Sequence, residues 1–517
     1  RGEHMEIGTY VEMALSSELS ANIIDLCPVG ALTSKPYAFV SRPWELRKTE
    51  SIDAHDAVGA NIRIDSRGPA VLRILPRLNE AINEEWLGDK SRFAMDGLLK
   101  RRLDRPWVRR DGKLHEASWG EAFAAIAARV KGVAGERIAA VAGDLADAEA
   151  MLALKDLMTA LGSPSIDCRQ DGAKLPQARA GYLFNTTIAG IEQADVALLI
   201  GTNPRWEAPL VNARLRKRFL QGGFKAGVIG PDVPLTYPVT HLGDAPAALN
   251  ELMSGNRAWG DVLKAAKNPM LIVGQGALSR PDGAAVLGLA RKLADAFGIV
   301  REGWNGFNVL HTAAARVGGL ELGLVPGEGG RDVAGILEGA RGGAIEVIFL
   351  LGADEIDAAA LGQTFVIYQG HHGDRGAARA DVVLPGVAYT EKNATWVNTE
   401  GRVQLGRLAV QPPGDAREDW KILRALSEVL GHRLPYDSLG DLRARMIAVN
   451  PVFAHVDEIV PAEWAPFGEA GEVSAEPFRS PIANYYMTDA ISRASPTMAA
   501  CTEQILGQEH RKTGTHG

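Results

Sequence analysis

The residues with the clearest chemical potential run Asn22-Ile23-Ile24-Asp25-Leu26-Cys27-Pro28-Val29-Gly30-Ala31-Leu32. A cysteine followed by proline and a small, glycine-containing turn is the usual ending of a ferredoxin-type [4Fe–4S] site. The proline has no N–H and stiffens the chain just past the ligand, and the glycine lets the backbone pass close to a cluster. A lone cysteine is most often a small buried hydrophobe, so both readings of Cys27 stand on these residues alone. A cubane needs about four thiolates. The only other cysteines, Cys168 and Cys501, have neither the spacing nor the context to supply them.

Other candidates are weaker. Glycine-containing loops follow apolar runs at Gly201, at Gly274-Gln275-Gly276 and at Gly352, where nucleotide-like ligands bind in open parallel sheets. Gly274-x-Gly276 lacks the third glycine of a dinucleotide fingerprint, with Ser279 in its place, and no Gly-Lys-Ser/Thr phosphate loop exists. Gly370-His371-His372-Gly373-Asp374 invites a metal reading, but adjacent histidines on an extended chain point to opposite sides. No partner spacing typical of zinc accompanies them, and a solvated loop is the expectation. Glu391-Lys392 and Asn398-Thr399-Glu400-Gly401-Arg402 hold charges close together without a matched acid/base pair. The residues alone yield no catalytic constellation.

The elements that must carry these loops alternate along the chain. Ser118-Trp119-Gly120-Glu121 is a capping box, followed by Phe123, Ile126, Ala127 and Val130 at helical spacing. A strand over 138–142 and a helix over 147–161 come next. The unit recurs as a strand over 195–200, a turn over 201–204 and a helix opening near Pro209. Buried strands are predicted over 226–229, 270–273, 347–351 and 365–368. Helices are predicted over 281–297, closed by Gly298, and over 418–430, closed by Gly431. This alternation is the pattern of an open parallel sheet. Short β-like stretches lie over 61–64 and 70–75. After about residue 450 the alternation stops, and an extended tail is expected over the surface, with helix returning after Ala490.

The 517 residues are 46% hydrophobic and carry 56 basic against 63 acidic side chains, a net charge of −7. Disorder of the whole chain is thereby excluded, and the balance has no global footprint for nucleic acid. The longest apolar runs fall far below the roughly 18 residues that span a bilayer. Three isolated thiols fit a reducing compartment rather than a disulfide framework. The first residue is Arg1, and the true start is expected to have been removed.

Cys27 to Leu32, Thr33 to Phe39 and Arg42-Pro43-Trp44-Glu45 closely resemble the large iron–sulfur subunit of proton-pumping NADH:quinone oxidoreductase, respiratory complex I. The resemblance continues through Lys48 to Asp53, Asn83 to Trp86, Asn185 to Gly190, Gly201 to Arg205, Tyr368 to Asp374, Asn398 to Arg402, Tyr486 to Asp489 and Ile491 to Ser495. These segments span nearly the whole chain in order. The body, through Ala380 to Pro385, Glu391-Lys392 and Asn398 to Arg402, is also similar to the molybdopterin-dependent oxidoreductases.

The resemblance implies an α/β fold, a molybdopterin-oxidoreductase-like body with open, mostly parallel sheets, preceded by the end of a ferredoxin-like iron–sulfur domain. It implies four parts. Residues 1–43 end the ferredoxin-like [4Fe–4S] domain, and 44–100 form a small β-rich domain resembling a cluster domain whose cluster is lost. Residues 101–450 form the body, and 451–517 a docking tail. Cys27 then becomes the fourth ligand of a [4Fe–4S] cluster whose other three ligands lie upstream of this chain, with further [2Fe–2S] and [4Fe–4S] clusters on the missing amino-terminal part.

Active molybdenum relatives often carry a cluster near the start of this region and a Cys, selenocysteine, Ser or Asp metal ligand. This chain has no cysteine between Pro28 and Asp167, so no molybdopterin is expected and the body is a catalytically silent scaffold. The implied partners are the other peripheral-arm subunits of complex I, including the flavin-binding subunit, with no nucleic acid and only indirect contact with a membrane. The implied place is the cytoplasmic face of the bacterial inner membrane, or the matrix face in a mitochondrion. The rival reading is an autonomous molybdopterin-dependent oxidoreductase such as a formate dehydrogenase relative.

Overall fold

Two parallel sheets form the body, and one is inserted into the other. The computed structural model describes residues 15–255 and 259–507. Residues 1–14 of the expected first part and 508–517 of the expected tail lie outside the described residues. The larger sheet has seven strands in the order Lys113–Glu116, Trp107–Arg110, Val382–Pro385, Phe365–Gly370, Val347–Leu351, Ile138–Ala142, Ser165–Asp167. Its five last-named strands are parallel, and the two at the other edge are antiparallel. Ser165–Asp167 pairs on one side of Ile138–Ala142 and Val347–Leu351 on the other, so the chain between Asp167 and Val347 leaves the sheet and returns.

That excursion builds the second sheet, five parallel strands in the order Thr240–Gly243, Lys225–Ile229, Val196–Ile200, Pro269–Val273, Phe307–Val309. Central strands in both sheets are buried on both faces, as Val196–Ile200, Pro269–Val273 and Val347–Leu351 show. Continuous apolar runs are the signature of strands covered by helices on each side. Among the covering helices, Trp119–Val130 begins with Ser118 accepting from the Glu121 N–H while Glu121 accepts from the Ser118 N–H. Ala148–Ala160 is capped by the Asp147 carboxylate on the Ala150 N–H, 2.9 Å.

A separate antiparallel sheet of three strands, Arg47–Ile52, Asn61–Arg67 and Ala70–Pro76, stands before the body. A hairpin, Ala394–Val397 with Val403–Gly406, ties it on. Its turn carries Asn398, whose Nδ2 donates to the Val58 carbonyl (3.0 Å), and Thr399, whose N–H donates to the Ala57 carbonyl (2.8 Å). Gln404 Nε2 adds a bond to the Gly59 carbonyl, 3.0 Å. Beyond Phe453 the chain runs without regular structure to the short helices Ala490–Ala494 and Pro496–Cys501, yet Phe467, Phe478, Tyr485 and Tyr486 along it are buried. Among the described residues no helix is long and apolar enough to cross a membrane.

Candidate functional site

Cys27 ends a five-residue helix, Asn22–Leu26, whose last turn it closes by donating its N–H to the Ile23 carbonyl (3.1 Å). The helix is fastened to the three-stranded unit by a paired bond. Asn22 Nδ2 donates to the Leu87 carbonyl (2.8 Å), and the Leu87 N–H donates to Asn22 Oδ1 (3.0 Å). Arg92 Nη2 reaches Asp25 Oδ2 at 2.5 Å, and Ser20 Oγ donates to Asp89 Oδ2 at 2.6 Å. Past Pro28 the chain turns through Gly30 at φ +66°, a conformation that favours glycine. The backbone amide dipoles of Leu32 and Val29, and less strongly those of Ala31 and Gly30, act on the sulfur. Their partial positive charge lowers the Cys27 thiol below its ordinary value, against the opposing effect of burial. A thiolate is the form that binds iron, and N–H groups aimed at sulfur tune cluster potentials. The residues present therefore fit one corner of a cluster.

The other cysteines are of a different kind. Cys168 is buried, and burial pushes its thiol up to about 12; Cys501 is half-buried and also raised by burial. Burial thus disfavours in both the thiolate, the form that attacks and binds metal.

The remaining predicted motifs are joints. Gly370 to Asp374, expected as a solvated loop, is instead partly buried, with Gly370 and His372 inside and His371, Gly373 and Asp374 half-buried. His372 is fully buried, and its Nε2 faces the Gly97 carbonyl at 2.9 Å. Burial and the neighbouring Arg102 push its imidazole down to about 4, so it stays neutral. The sequence offered no signal for this, because Gly97 and Arg102 lie more than two hundred residues away. Arg102 in turn grips Glu391 with both guanidinium arms, at 2.5 and 2.7 Å. Lys392 is buried between Asp147 (2.6 Å) and Asp419 (3.0 Å). Lys90 donates to Thr488 at 2.8 Å, and His55 Nδ1 lies 3.0 Å from Asp489 Oδ2. These bonds fasten the three-stranded unit to the final segment of the chain.

The strand ends of the seven-stranded sheet carry a polar cluster that sequence reasoning missed. Asp144 follows Ile138–Ala142, Gln170 and Asp171 follow Ser165–Asp167, and Glu355 follows Val347–Leu351. Arg493 donates to Glu355 (2.7 Å) and Asp374 (2.6 Å), and Arg316 to Asp171 (2.8 Å). Burial, then Glu355, push Asp144 up to about 7. A molybdopterin cofactor is implied by the fold family, and its anionic groups would meet this acidic lining where both guanidinium groups are already engaged. The residues present do not fit it.

The fold and these joints define a class: the stretch 102–429 matches the molybdopterin oxidoreductase family, and this is the α/β body of that class. Residues 46–96 match the "NADH-ubiquinone oxidoreductase NDSU1/NuoG-like, 4Fe-4S domain", and 458–501 match the C-terminal family of the G-type subunit of the same oxidoreductase. Residues 1–33 match the "NADH-quinone oxidoreductase subunit 3, ferredoxin-like domain". The chain is 50% identical over 509 residues to the mitochondrial NADH dehydrogenase [ubiquinone] iron-sulfur protein 1 of Solanum tuberosum, covering 97% of this chain and 68% of that one. It is 47% identical over 519 residues to the G-type subunit of the NADH-quinone oxidoreductase of Rickettsia bellii, covering 100% and 74%. Among solved structures, acetylene hydratase from Pelobacter acetylenicus shares the fold, with TM-score 0.59 and 13% identity over 78% of this chain and 72% of that one. The chain belongs to the family of the large iron–sulfur subunit of NADH:quinone oxidoreductase, respiratory complex I.

Proposed function

We propose that Cys27 is the fourth thiolate of a [4Fe–4S] cluster whose other three ligands lie upstream of this chain, together with further [2Fe–2S] and [4Fe–4S] clusters. When bound, such a cluster accepts and passes on single electrons. This chain's share is to hold one corner: Asn22 and Arg92 fix the helix, and the Val29 to Leu32 amides stabilise sulfur as thiolate. The Cys27-Pro28 turn through Gly30 at φ +66°, inside the stretch 1–33 that matches the ferredoxin-like domain, is the observation that carries the reading. In the complex, electrons pass from NADH through the flavin-binding subunit and the clusters toward quinone, coupled to proton translocation. The chain sits among the peripheral-arm subunits, on the cytoplasmic face of a bacterial inner membrane or the matrix face of a mitochondrial one.

In this reading residues 1–43 close the ferredoxin-like domain and 44–100 form a β-rich domain without its cluster. Residues 101–450 are a scaffold that binds no molybdopterin, and 451–517 a docking tail. The test is Cys27→Ala in the assembled complex. NADH oxidation by an artificial acceptor at the flavin should persist while transfer to quinone falls sharply. Quinone reduction at the wild-type rate would overturn the assignment.

A further inference from the structure

In doubly wound sheets, nucleotide-like ligands lie in the crevice outside the carboxyl ends of the strands. In the five-stranded unit that place is occupied by the chain itself. Four of the five strands lead there, through Asp244, Gly230, Gly201 and Gly274 to Gly276. Phe478 and Arg479 run across these ends. The Phe478 N–H donates to the Asp244 carbonyl, 2.7 Å, and its buried ring lies under the Arg280 guanidinium at 5.2 Å. Arg280 also donates to the carbonyls of Glu476 (2.9 Å) and Pro477 (3.3 Å). The Arg479 carbonyl stands so near Gly276 that a Cβ there would lie 2.2 Å from it.

The same arrangement recurs toward the other end of the segment. A Cβ on Gly288 would lie 2.4 Å from the Glu469 carbonyl, and the Glu469 N–H donates to the Ala284 carbonyl, 3.1 Å. Between the two, the Ser474 N–H donates to Asp282 Oδ2, 2.7 Å. Phe467 anchors the start, its ring 5.1 Å from Phe307, on the last strand of this sheet.

We propose that this crevice is a peptide-binding channel whose ligand is the chain's own segment Phe467–Arg479. The recognition chemistry is that of an extended peptide: main-chain carbonyls seated on glycines, main-chain N–H groups satisfied by Asp282 and two carbonyls, and an aromatic ring at each end. The strap fills the space that a nucleotide-like cofactor needs, so the inference deepens the cofactor-free reading of the body and rests on it. It also gives Gly276 and Gly288 a role that turn geometry does not, because neither has a positive φ.

The test is hydrogen exchange, read by mass spectrometry, on the complex carrying Arg280→Gln or, separately, Gly276→Val. Arg280→Gln removes charge-assisted bonds to the strap and the cation over Phe478, and should speed exchange across 467–481 about tenfold. Gly276→Val should speed it at least as much. Val347–Leu351 should keep wild-type protection in Arg280→Gln, which decides the matter should Gly276→Val fail to fold. Unchanged protection of 467–481 in Arg280→Gln would overturn the strap. Elemental analysis of the same wild-type complex separates the two readings. Stoichiometric molybdenum overturns the cofactor-free body whatever the exchange data give, and its absence beside an unprotected wild-type strap overturns the strap alone.

Discussion

Glu207 follows the loop Gly201 to Pro204 and is 1% exposed, and no cation among the described residues contacts it. Burial pushes its carboxyl up to about 7, against the opposing pull of the Asn203 N–H (2.7 Å) and the Thr202 hydroxyl (2.8 Å). The folded protein therefore holds a proton there that the unfolded chain, titrating near the ordinary 4.5, releases. Stability must then fall as pH rises through the window from the unfolded value to about 7, and level off above it. At 1.36 kcal/mol per pH unit, the accumulated cost at pH 8 is about 3 kcal/mol. Glu207→Gln keeps the shape and a neutral group, and the Thr202 hydroxyl turns to accept from the new amide. It should be close to neutral at pH 5 and relatively stabilising by about 3 kcal/mol at pH 8. Urea unfolding of wild type and variant at both pH values, followed by far-ultraviolet circular dichroism, measures the difference. A stability difference independent of pH would refute the reasoning, because it would mean Glu207 is ionised in the fold.

Three further outcomes follow from the joints. Lys392→Met should cost about 3–5 kcal/mol in the same unfolding assay, because Asp147 and Asp419 would be left buried without their cation. Gly143→Ala should destabilise by about 3 kcal/mol or prevent folding, since its Cβ would stand 2.0 Å from the Gly352 carbonyl at the junction of two central strands; soluble yield and thermal midpoint report it. Ser118→Ala should lower stability by only about 1 kcal/mol, the usual loss of an exposed N-cap, visible as a small shift in thermal midpoint.

What the sequence made legible was whatever is decided locally. The Ser118–Glu121 capping box and the apolar strands at 138–142, 196–200, 269–273, 347–351 and 365–370 lie where their residues placed them. So does the helix Asp419–Val429 before Gly431. The nesting of one sheet inside the other was not legible, because pairing Ile138–Ala142 with Val347–Leu351 is a contact across two hundred residues. Ser165–Asp167 is too short, at three residues, to show a period. The same limit explains His372 and Glu391: their partners Gly97 and Arg102 are distant in sequence, so a histidine expected in a solvated loop and a carboxylate with no matched partner became interior joints. Cys27 stood out because Cys-Pro-x-Gly is a local signal. The amide dipoles that favour its thiolate come from the next five residues.

The central claim is that the Cys27 sulfur holds a cluster, and electron paramagnetic resonance of the reduced complex tests it most directly. Wild type and Cys27→Ala should be compared at matched assembly and matched flavin content. The account predicts that one [4Fe–4S] signal is lost or displaced in the variant while the remaining cluster signals are unchanged. An identical set of signals in both would contradict it, and Cys27 would be a thiol that no iron needs.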